Sequence, residues 1–234
     1  DVNGSLQAAG TEEDPIAFTA LTKKGWGGIN LKGTGNLLEH VIIEKADTAV
    51  NLGNKAVADV RHSLIQGGVK YDENEYQSET GIRAAQDAKA TFTHAAVKGF
   101  ERGIHAQNTE ELVVEHSVIR DNNRGVRIDG DGYSGTGCGR QDNFDEHRDP
   151  IFNHVDIFNN GTGILIRGSN VLVQVEKSNL INNDSLGLDL QGAGLAPESH
   201  LKDNNIYGNN GATEEENNTQ VRTFHRDNTI VLED

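Results

Sequence analysis

Apolar residues recur along the chain in short alternating segments that repeat at intervals of about 22 residues. In the first repeated phrase the second and fourth residues are apolar, and its copies begin 21, 32, 22, 22, 38 and 24 residues apart. The copies are GINLKG (28–33), AVNLGN (49–54), GIRAAQ (81–86), GIHAQN (103–108), GVRIDG (125–130), GILIRG (163–168) and GLDLQG (187–192). Alternation with a period of two predicts short β-strands whose second and fourth residues face inward and whose third and fifth face outward.

A second phrase lies between these copies and contains two apolar columns on either side of a mostly histidine column. The histidine column consists of His40, His62, His94, His116 and His154, and continues as Lys177 and Asp203. The first apolar column, two residues earlier, is Leu38, Val60, Phe92, Val114, Phe152, Val175 and Leu201. The second, three residues later, is Ile43, Ile65, Val97, Ile119, Ile157, Leu180 and Ile206. A further column holds Asn122, Asn160, Asn183 and Asn209.

These columns predict a β-solenoid. A single unit cannot bury its own apolar face, whereas units stacked about 4.8 Å apart share a continuous core and pair each strand with its neighbours. A repeated asparagine can bridge successive turns with its amide and tolerates the left-handed backbone of a tight bend. The spacing does not suit a β-propeller, whose units have about 40 or more residues, and there is no helical period.

The phrases of residues 28–211 resemble those of the right-handed parallel β-helix proteins, the pectate-lyase-like superfamily. That group includes pectate, alginate and chondroitin lyases, phage tailspikes and bacterial surface proteins. The opening NGSLQAAGTEEDPIAFTA and GWGGI are similar to the start of β-helix modules in bacterial surface proteins. The resemblance implies the fold more strongly than an activity, because this fold carries both enzymes and adhesins.

The expected fold class is therefore all-β, a single right-handed parallel β-helix of about nine to ten turns. One domain spans residues 1–234. Residues 1–27 are expected to form the first turns or a cap, and residues 212–234 the last turn with a strand at 229–232. Two insertions, at about 66–80 and 129–149, are expected to protrude as loops.

Charge and composition exclude several classes of protein. The chain has 36 acidic and 21 basic residues, a formal net charge of −15, which argues against binding to nucleic acid. No apolar run is long enough for a membrane span. The single cysteine, Cys138, cannot form an internal disulfide. The absence of methionine and of an apolar opening segment suggests a processed chain or part of a larger protein, with other domains of a surface protein as expected partners.

One outward-facing row carries the main candidate chemistry. The third positions of the first phrase place Arg83, His105 and Arg127 on three successive turns. Stacked cations repel each other unless anions neutralise them. The row therefore indicates either a groove for an acidic polysaccharide, whose carboxylates pair with guanidinium groups, or a solvated face whose arginines pair with acids such as Asp129.

Within the groove interpretation, both binding and β-elimination stay open. In a polysaccharide lyase, His105 would act as base, Arg83 and Arg127 would neutralise the substrate carboxylate, and Tyr76 or Tyr133 would supply the acid. Lys32, Arg167 and Asp189 are further candidates for substrate contact. The dense aspartate cluster of calcium-dependent pectate lyases and the paired aspartates of polygalacturonases are not evident on this row, which favours binding over catalysis.

Two other patterns suggest metal sites. Asp129, Asp131, Asp142 and Asp145 offer oxygen ligands that calcium prefers, although neither the EF-hand spacing nor the nonapeptide calcium repeat is present. The alternative is a solvated acidic loop. The histidine column could bind zinc or copper, but repeated residues in solenoids usually stack, so a ladder of packed imidazole rings is the preferred interpretation.

The leading expectation is an extracellular or cell-surface β-helix module, structural or adhesive and non-catalytic, that binds an acidic polysaccharide. A polysaccharide lyase and a trimeric phage or virion spike subunit are the alternatives. Calcium is the one cofactor included in this expectation, and no membrane insertion is expected.

Overall fold

Three parallel β-sheets wind around one core. The computed structural model describes residues 1–22, 25–68, 78–130, 150–195, 199–209, 221–223 and 231–233. Within these ranges the chain visits the sheets in a fixed order, so that each turn adds one strand to each sheet, and all strand pairs are parallel. The described residues contain no helix that could cross a membrane.

Sheet A has eight strands in the described residues: Ile29–Leu31 (β3), Thr48–Leu52 (β6), Thr80–Ala84 (β9), Arg102–Gln107 (β12), Arg124–Asp129 (β15), Thr162–Val171 (β18), Leu188–Leu195 (β21) and Val221–Thr223 (β24). It contains the copies of the first phrase. In β12 the predicted alternation is confirmed, since Ile104 and Ala106 are buried while His105 and Gln107 are partly exposed.

Sheet B has nine strands: Gln7–Ala9 (β1), Asn36–Glu39 (β4), Val57–Arg61 (β7), Lys89–Thr93 (β10), Glu111–Glu115 (β13), Ile151–Asn153 (β16), Gln174–Glu176 (β19), His200–Lys202 (β22) and Val231–Glu233 (β25). Sheet C has eight: Ile16–Phe18 (β2), Val41–Glu44 (β5), Leu64–Gln66 (β8), Ala96–Lys98 (β11), Val118–Arg120 (β14), Asp156–Phe158 (β17), Asn179–Ile181 (β20) and Asn205–Tyr207 (β23). Both counts refer to the described ranges.

The two apolar columns form much of the core, as predicted. Every member of the first column is buried, and so is every member of the second except Ile206, which is partly buried against the core. Phe92 and Phe152 are the largest of the fully buried side chains. At the N-terminal end Ile16, Phe18 and Trp26 pack against the same core, and the Trp26 indole donates to the carbonyl of Glu44.

The asparagine column forms a buried ladder at the turn between sheets C and A. Asn160 is fully buried, and its amide donates to the carbonyls of Ile119 and Phe158. Its Oδ1 accepts from the backbone N–H and the amide of Asn122, and the same pattern links Asn160 to Asn183. The predicted bridging of turns by asparagine is confirmed.

A column of glycines packs against this ladder. A Cβ on Gly125 would lie 2.6 Å from the carbonyl oxygen of Gly163 and 3.1 Å from the Asn160 amide. A Cβ on Gly103 would lie 2.5 Å from the carbonyl oxygen of Gly125. The first residue of the sheet A phrase packs against the ladder, and there is no space for a Cβ at Gly103 or Gly125. This close packing explains why the phrase so often begins with glycine.

The fold class is confirmed as a parallel β-helix. The nine strands of sheet B match the lower end of the predicted number of turns. The right-handed sense stays a prediction that rests on the resemblance and on the general preference of parallel crossovers. The predicted terminal strand is found as β25, with 229–230 outside the described residues.

Candidate functional site

The predicted row of outward-facing residues lies on one face of sheet A. The strand register pairs Arg83 with His105 and His105 with Arg127, and then continues through Leu165 to Asp189. A second row, one pleat further along the same strands, runs through Gln107, Asp129, Arg167 and Gln191. The alternation in the sequence therefore placed these side chains correctly on a common face.

Arginines are concentrated on this sheet. Of the seven arginines whose side chains the structure describes, five lie on strands of sheet A: Arg83, Arg102, Arg124, Arg127 and Arg167. The other two, Arg61 and Arg120, lie on sheets B and C. The chain as a whole has a formal net charge of −15.

Asp129 neutralises the centre of the face. Its Oδ2 lies 2.8 Å from Nε2 of His105, and the Nε of Arg127 donates to Oδ1 and Oδ2 at 3.0 and 2.9 Å. Burial acts to raise the pKa of this carboxyl, but the hydrogen bonds with His105 and Arg127 outweigh it, and the pKa lies below its usual range. Arg127 and His105 are thus paired with an internal acid, as the solvated-face interpretation expected.

Two more arginines pair with acids at the edge of sheet A where its strands begin. Arg102 donates to Glu79 at 2.7 Å, and Arg124 to Glu101 at 2.7 Å. The hydrogen bond from Arg102 lowers the pKa of Glu79 most strongly, against the effect of burial. Sequence reasoning missed these pairs, although both arginines immediately precede the glycine of a repeated phrase.

Arg83 is exposed, and in the row it lies between Asn51 and His105. Its side chain forms no hydrogen bond or ion pair with another described residue, and it lies one strand away from His105. Its positive charge contributes to the lowered pKa of Glu79, and an exposed guanidinium that no described residue binds can pair with an anion. Of the predicted row, Arg83 is therefore the member best placed to bind a ligand carboxylate.

Beyond Arg127 the row is covered, and it continues in register from Asp189 to Arg222. Leu165 faces outward and lies outside the main apolar cluster, yet it is only 2% exposed. Asp189, next to it in register, is 6% exposed, and its Oδ1 is buried without a hydrogen-bond partner among the described residues. Gln191 connects two of the candidates, since it accepts from Arg167 at 2.6 Å and donates to Oδ2 of Asp189 at 2.9 Å.

Both predicted insertions join the chain at sheet A. Residues 69–77 lead into β9, which carries Arg83, and residues 131–149 follow β15, which carries Arg127. Tyr76, Tyr133, Asp131, Asp142 and Asp145 lie outside the described residues, so the roles assigned to them stay predictions. The connections place the two insertions at opposite strand ends of the same sheet.

The remaining candidates are Lys32, which lies away from the paired centre, and the predicted calcium ligands. Lys32 directly follows β3, and its Nζ lies 2.9 Å from Oδ2 of Asp1, away from the paired centre. Asp129, the one described member of the predicted calcium set, uses both oxygens in bonds to His105 and Arg127. In the described ranges no three His, Cys, Asp or Glu side chains are grouped to hold a metal ion.

The histidine column is a stack of imidazole rings, as preferred in the sequence analysis. Successive ring centroids from His40 to His154 lie 4.9–5.2 Å apart, with interplanar angles of 11–22°. Each histidine has a positive φ of 48–55°, a left-handed bend between sheets B and C that histidine tolerates better than most residues. Two Zn–N bonds of about 2.1 Å cannot join rings at this spacing unless the stack opens.

Comparison of the chain with protein-family models, with curated proteins and with solved structures found no match.

Proposed function

We propose that this chain is a non-catalytic β-helix module, structural or adhesive, that binds an acidic polysaccharide along the outer face of sheet A. The observation that carries the proposal is the concentration of arginines on this sheet in a strongly acidic chain. Arg83 provides an exposed guanidinium, and Arg167 lies further along the face. Guanidinium groups pair with carboxylates or sulfates through two parallel hydrogen bonds.

A linear polymer suits this face because its candidate residues are arranged as a line. The rows cross successive strands, so they run along the solenoid axis with a step of about 4.8 Å. The two insertions are joined to the chain at opposite ends of strands of this sheet. An extracellular or cell-surface location, and membership of the pectate-lyase-like superfamily, are parts of this proposal that the sequence resemblance supports.

The test is retention of the protein on immobilised acidic glycans. We expect Arg83→Gln to weaken binding by about tenfold or more, because a hydrogen bond to a charged group contributes about 1.5–3 kcal/mol. Binding should also weaken as salt is added, since the ion pairs are solvent-accessible. Arg120→Gln, on the outer face of sheet C, is the matched control and should leave retention within about twofold.

Retention that is unchanged by Arg83→Gln would contradict a binding site on sheet A. If no acidic glycan is retained at any salt concentration, the protein would instead be a structural stalk, with the arginines serving the fold and its surface charge.

A polysaccharide lyase is the second candidate, favoured by the contact between His105 and Asp129. A carboxylate on Nε2 orients the imidazole and leaves Nδ1 to accept a proton from the carbon next to a uronate carboxylate. Arg83 would neutralise that carboxylate, while Arg127 would hold Asp129 in place. Tyr76 or Tyr133 remains the proposed acid.

The lyase candidate is tested by ultraviolet absorbance of unsaturated uronates after incubation with alginate, pectate, chondroitin and heparin, with and without calcium. Activity abolished by His105→Ala would establish the lyase. Binding without any rise in absorbance would favour the non-catalytic module.

A further inference from the structure

We propose that the bound glycan occupies the part of the sheet A face that runs from Arg83 to Asn30. Arg83 binds an acidic group of the glycan, and the side-chain amides of Asn51 and Asn30 bind hydroxyls of the neighbouring sugars. This inference deepens the proposed function and rests on it. The strand register places the three residues side by side on β9, β6 and β3, in the same row as His105.

The amides of Asn51 and Asn30 have unused hydrogen-bonding capacity on the outer face. Both residues are partly exposed, and Nδ2 of Asn51 donates to Oδ1 of Asn30 at 2.7 Å. Neither side chain forms another hydrogen bond with a described residue. Oδ1 of Asn51 can therefore accept a hydrogen bond and Nδ2 of Asn30 can donate one, and a sugar hydroxyl can act in both ways. The bond between the two amides also restrains them, so that less conformational freedom is lost when a ligand binds.

Small residues leave the surface beside Asn51 and Arg83 open. The next outward positions, Gly53 and Ala85, carry no side chain and a single methyl group. Even a Cβ on Gly53 would lie 3.5 Å or more from the atoms around it, so nothing is packed over this glycine. In the following turn the same position is Gln107, which has a much longer side chain. A sugar ring can thus approach the amide of Asn51 and the guanidinium of Arg83 from this side.

The row offers fewer groups to a ligand in the other direction. His105 and Arg127 are already bonded to Asp129 at 2.8–3.0 Å, so a ligand group that bound them would compete with a buried carboxylate. The next outward residue, Leu165, is only 2% exposed. A glycan that extends from Arg83 towards β3 therefore meets available amides, whereas one that extends towards β18 meets groups that are already paired or covered.

Calorimetry with short oligosaccharides of alginate, pectate, chondroitin and heparin tests where the glycan lies. Asn51→Ala removes a group that contacts neutral hydroxyls, and we expect it to weaken binding by about three- to tenfold. Because this hydrogen bond joins uncharged groups, the loss should be the same at low and at high salt. The loss caused by Arg83→Gln should instead shrink as salt is added, since salt screens the ion pair.

Gln107→Ala is the matched control. Gln107 also presents a partly exposed amide on the outer face of sheet A, and it forms no hydrogen bond with a described residue. It lies on β12, however, on the other side of Arg83, so its replacement should leave the affinity within about twofold. Asn30→Ala serves as a second variant in case Asn51→Ala does not fold, and it should weaken binding by a similar factor.

The outcomes separate the two proposals. Failure of every oligosaccharide to bind overturns the proposed function, and this inference with it. Binding that depends on Arg83 but is unchanged by both Asn51→Ala and Asn30→Ala overturns this inference alone. A loss in Gln107→Ala as large as that in Asn51→Ala has the same consequence, because the glycan would then extend towards β15.

Discussion

Replacement of Asn160 by leucine is expected to destabilise the β-helix by about 3 kcal/mol or more. Asn160 is fully buried in the middle of the asparagine ladder and is bonded to the turns on both sides. Leucine has a similar volume, so the substitution tests the hydrogen bonds of the amide rather than the space it fills.

The size of the effect follows from the groups that the substitution leaves unpaired. The carbonyls of Ile119 and Phe158 lose their donor, and the backbone N–H of Asn122 loses its acceptor. Each buried polar group without a partner costs about 1–3 kcal/mol. The apolar surface that leucine buries offsets only part of this loss.

Urea unfolding monitored by circular dichroism measures the change, with Asn123→Ala as the control. Asn123 is exposed, and its amide contacts Glu101 at the surface, so its loss should cost less than about 1 kcal/mol. Similar unfolding midpoints for the two variants would show that the ladder does not contribute to stability in this way.

The features that could be predicted from the sequence are those that repeat. The apolar columns, the bridging asparagines and the stacked histidines recur once per turn, and a solenoid translates such recurrence directly into contact between neighbours. The same logic placed Arg83, His105 and Arg127 on one face, because a period of two in each strand fixes which side chains point outward.

The serine ladder was missed because it is interrupted. Ser63, Ser117 and Ser178 directly follow the histidine column, and each accepts a hydrogen bond from a backbone N–H one turn away. Alanine and valine occupy the position in the turns between them. A column in which polar and apolar residues alternate does not stand out in the sequence, although the backbone geometry that it supports is the same.

The burial of Leu165 and Asp189 also could not be predicted from the sequence, but the reason is different. Periodicity reports the face on which a side chain lies, but not what covers that face. Asp129 illustrates the same limit, because its position next to an acidic insertion suggested a calcium ligand. Its contact with His105 depends on the register between β12 and β15, which brings a residue of one copy beside a residue of another.

Asp129→Asn is expected to destabilise the protein by about 2–3 kcal/mol at pH 7. Removing one partner of a buried ion pair typically costs about 3–5 kcal/mol, and the lower value expected here reflects the partial exposure of Arg127. The side chain of Asp129 is 6% exposed, and that of Arg127 is 16% exposed. The substitution leaves the Arg127 guanidinium beside His105 without the carboxylate that neutralises both.

The pH dependence provides a second check on the same variant. The folded-state pKa of Asp129 lies below its usual value, so its contribution is present above the unfolded-state pKa, near 3.9, and is lost as the pH falls through the folded-state value. The difference in stability between the unmodified protein and the variant should therefore be full at pH 7 and shrink below about pH 4.

Asp59→Asn is the matched control, because Asp59 and Arg61 form the same two-residue pairing on β7 of sheet B, at more exposed positions. Its expected cost is below about 1 kcal/mol, since solvent screens exposed ion pairs. Equal costs for the two variants would mean that burial adds nothing to the Asp129 pair. In that case Asp129 would not hold His105 in a fixed orientation, and the lyase candidate would lose its structural basis while polysaccharide binding through Arg83 would be unaffected.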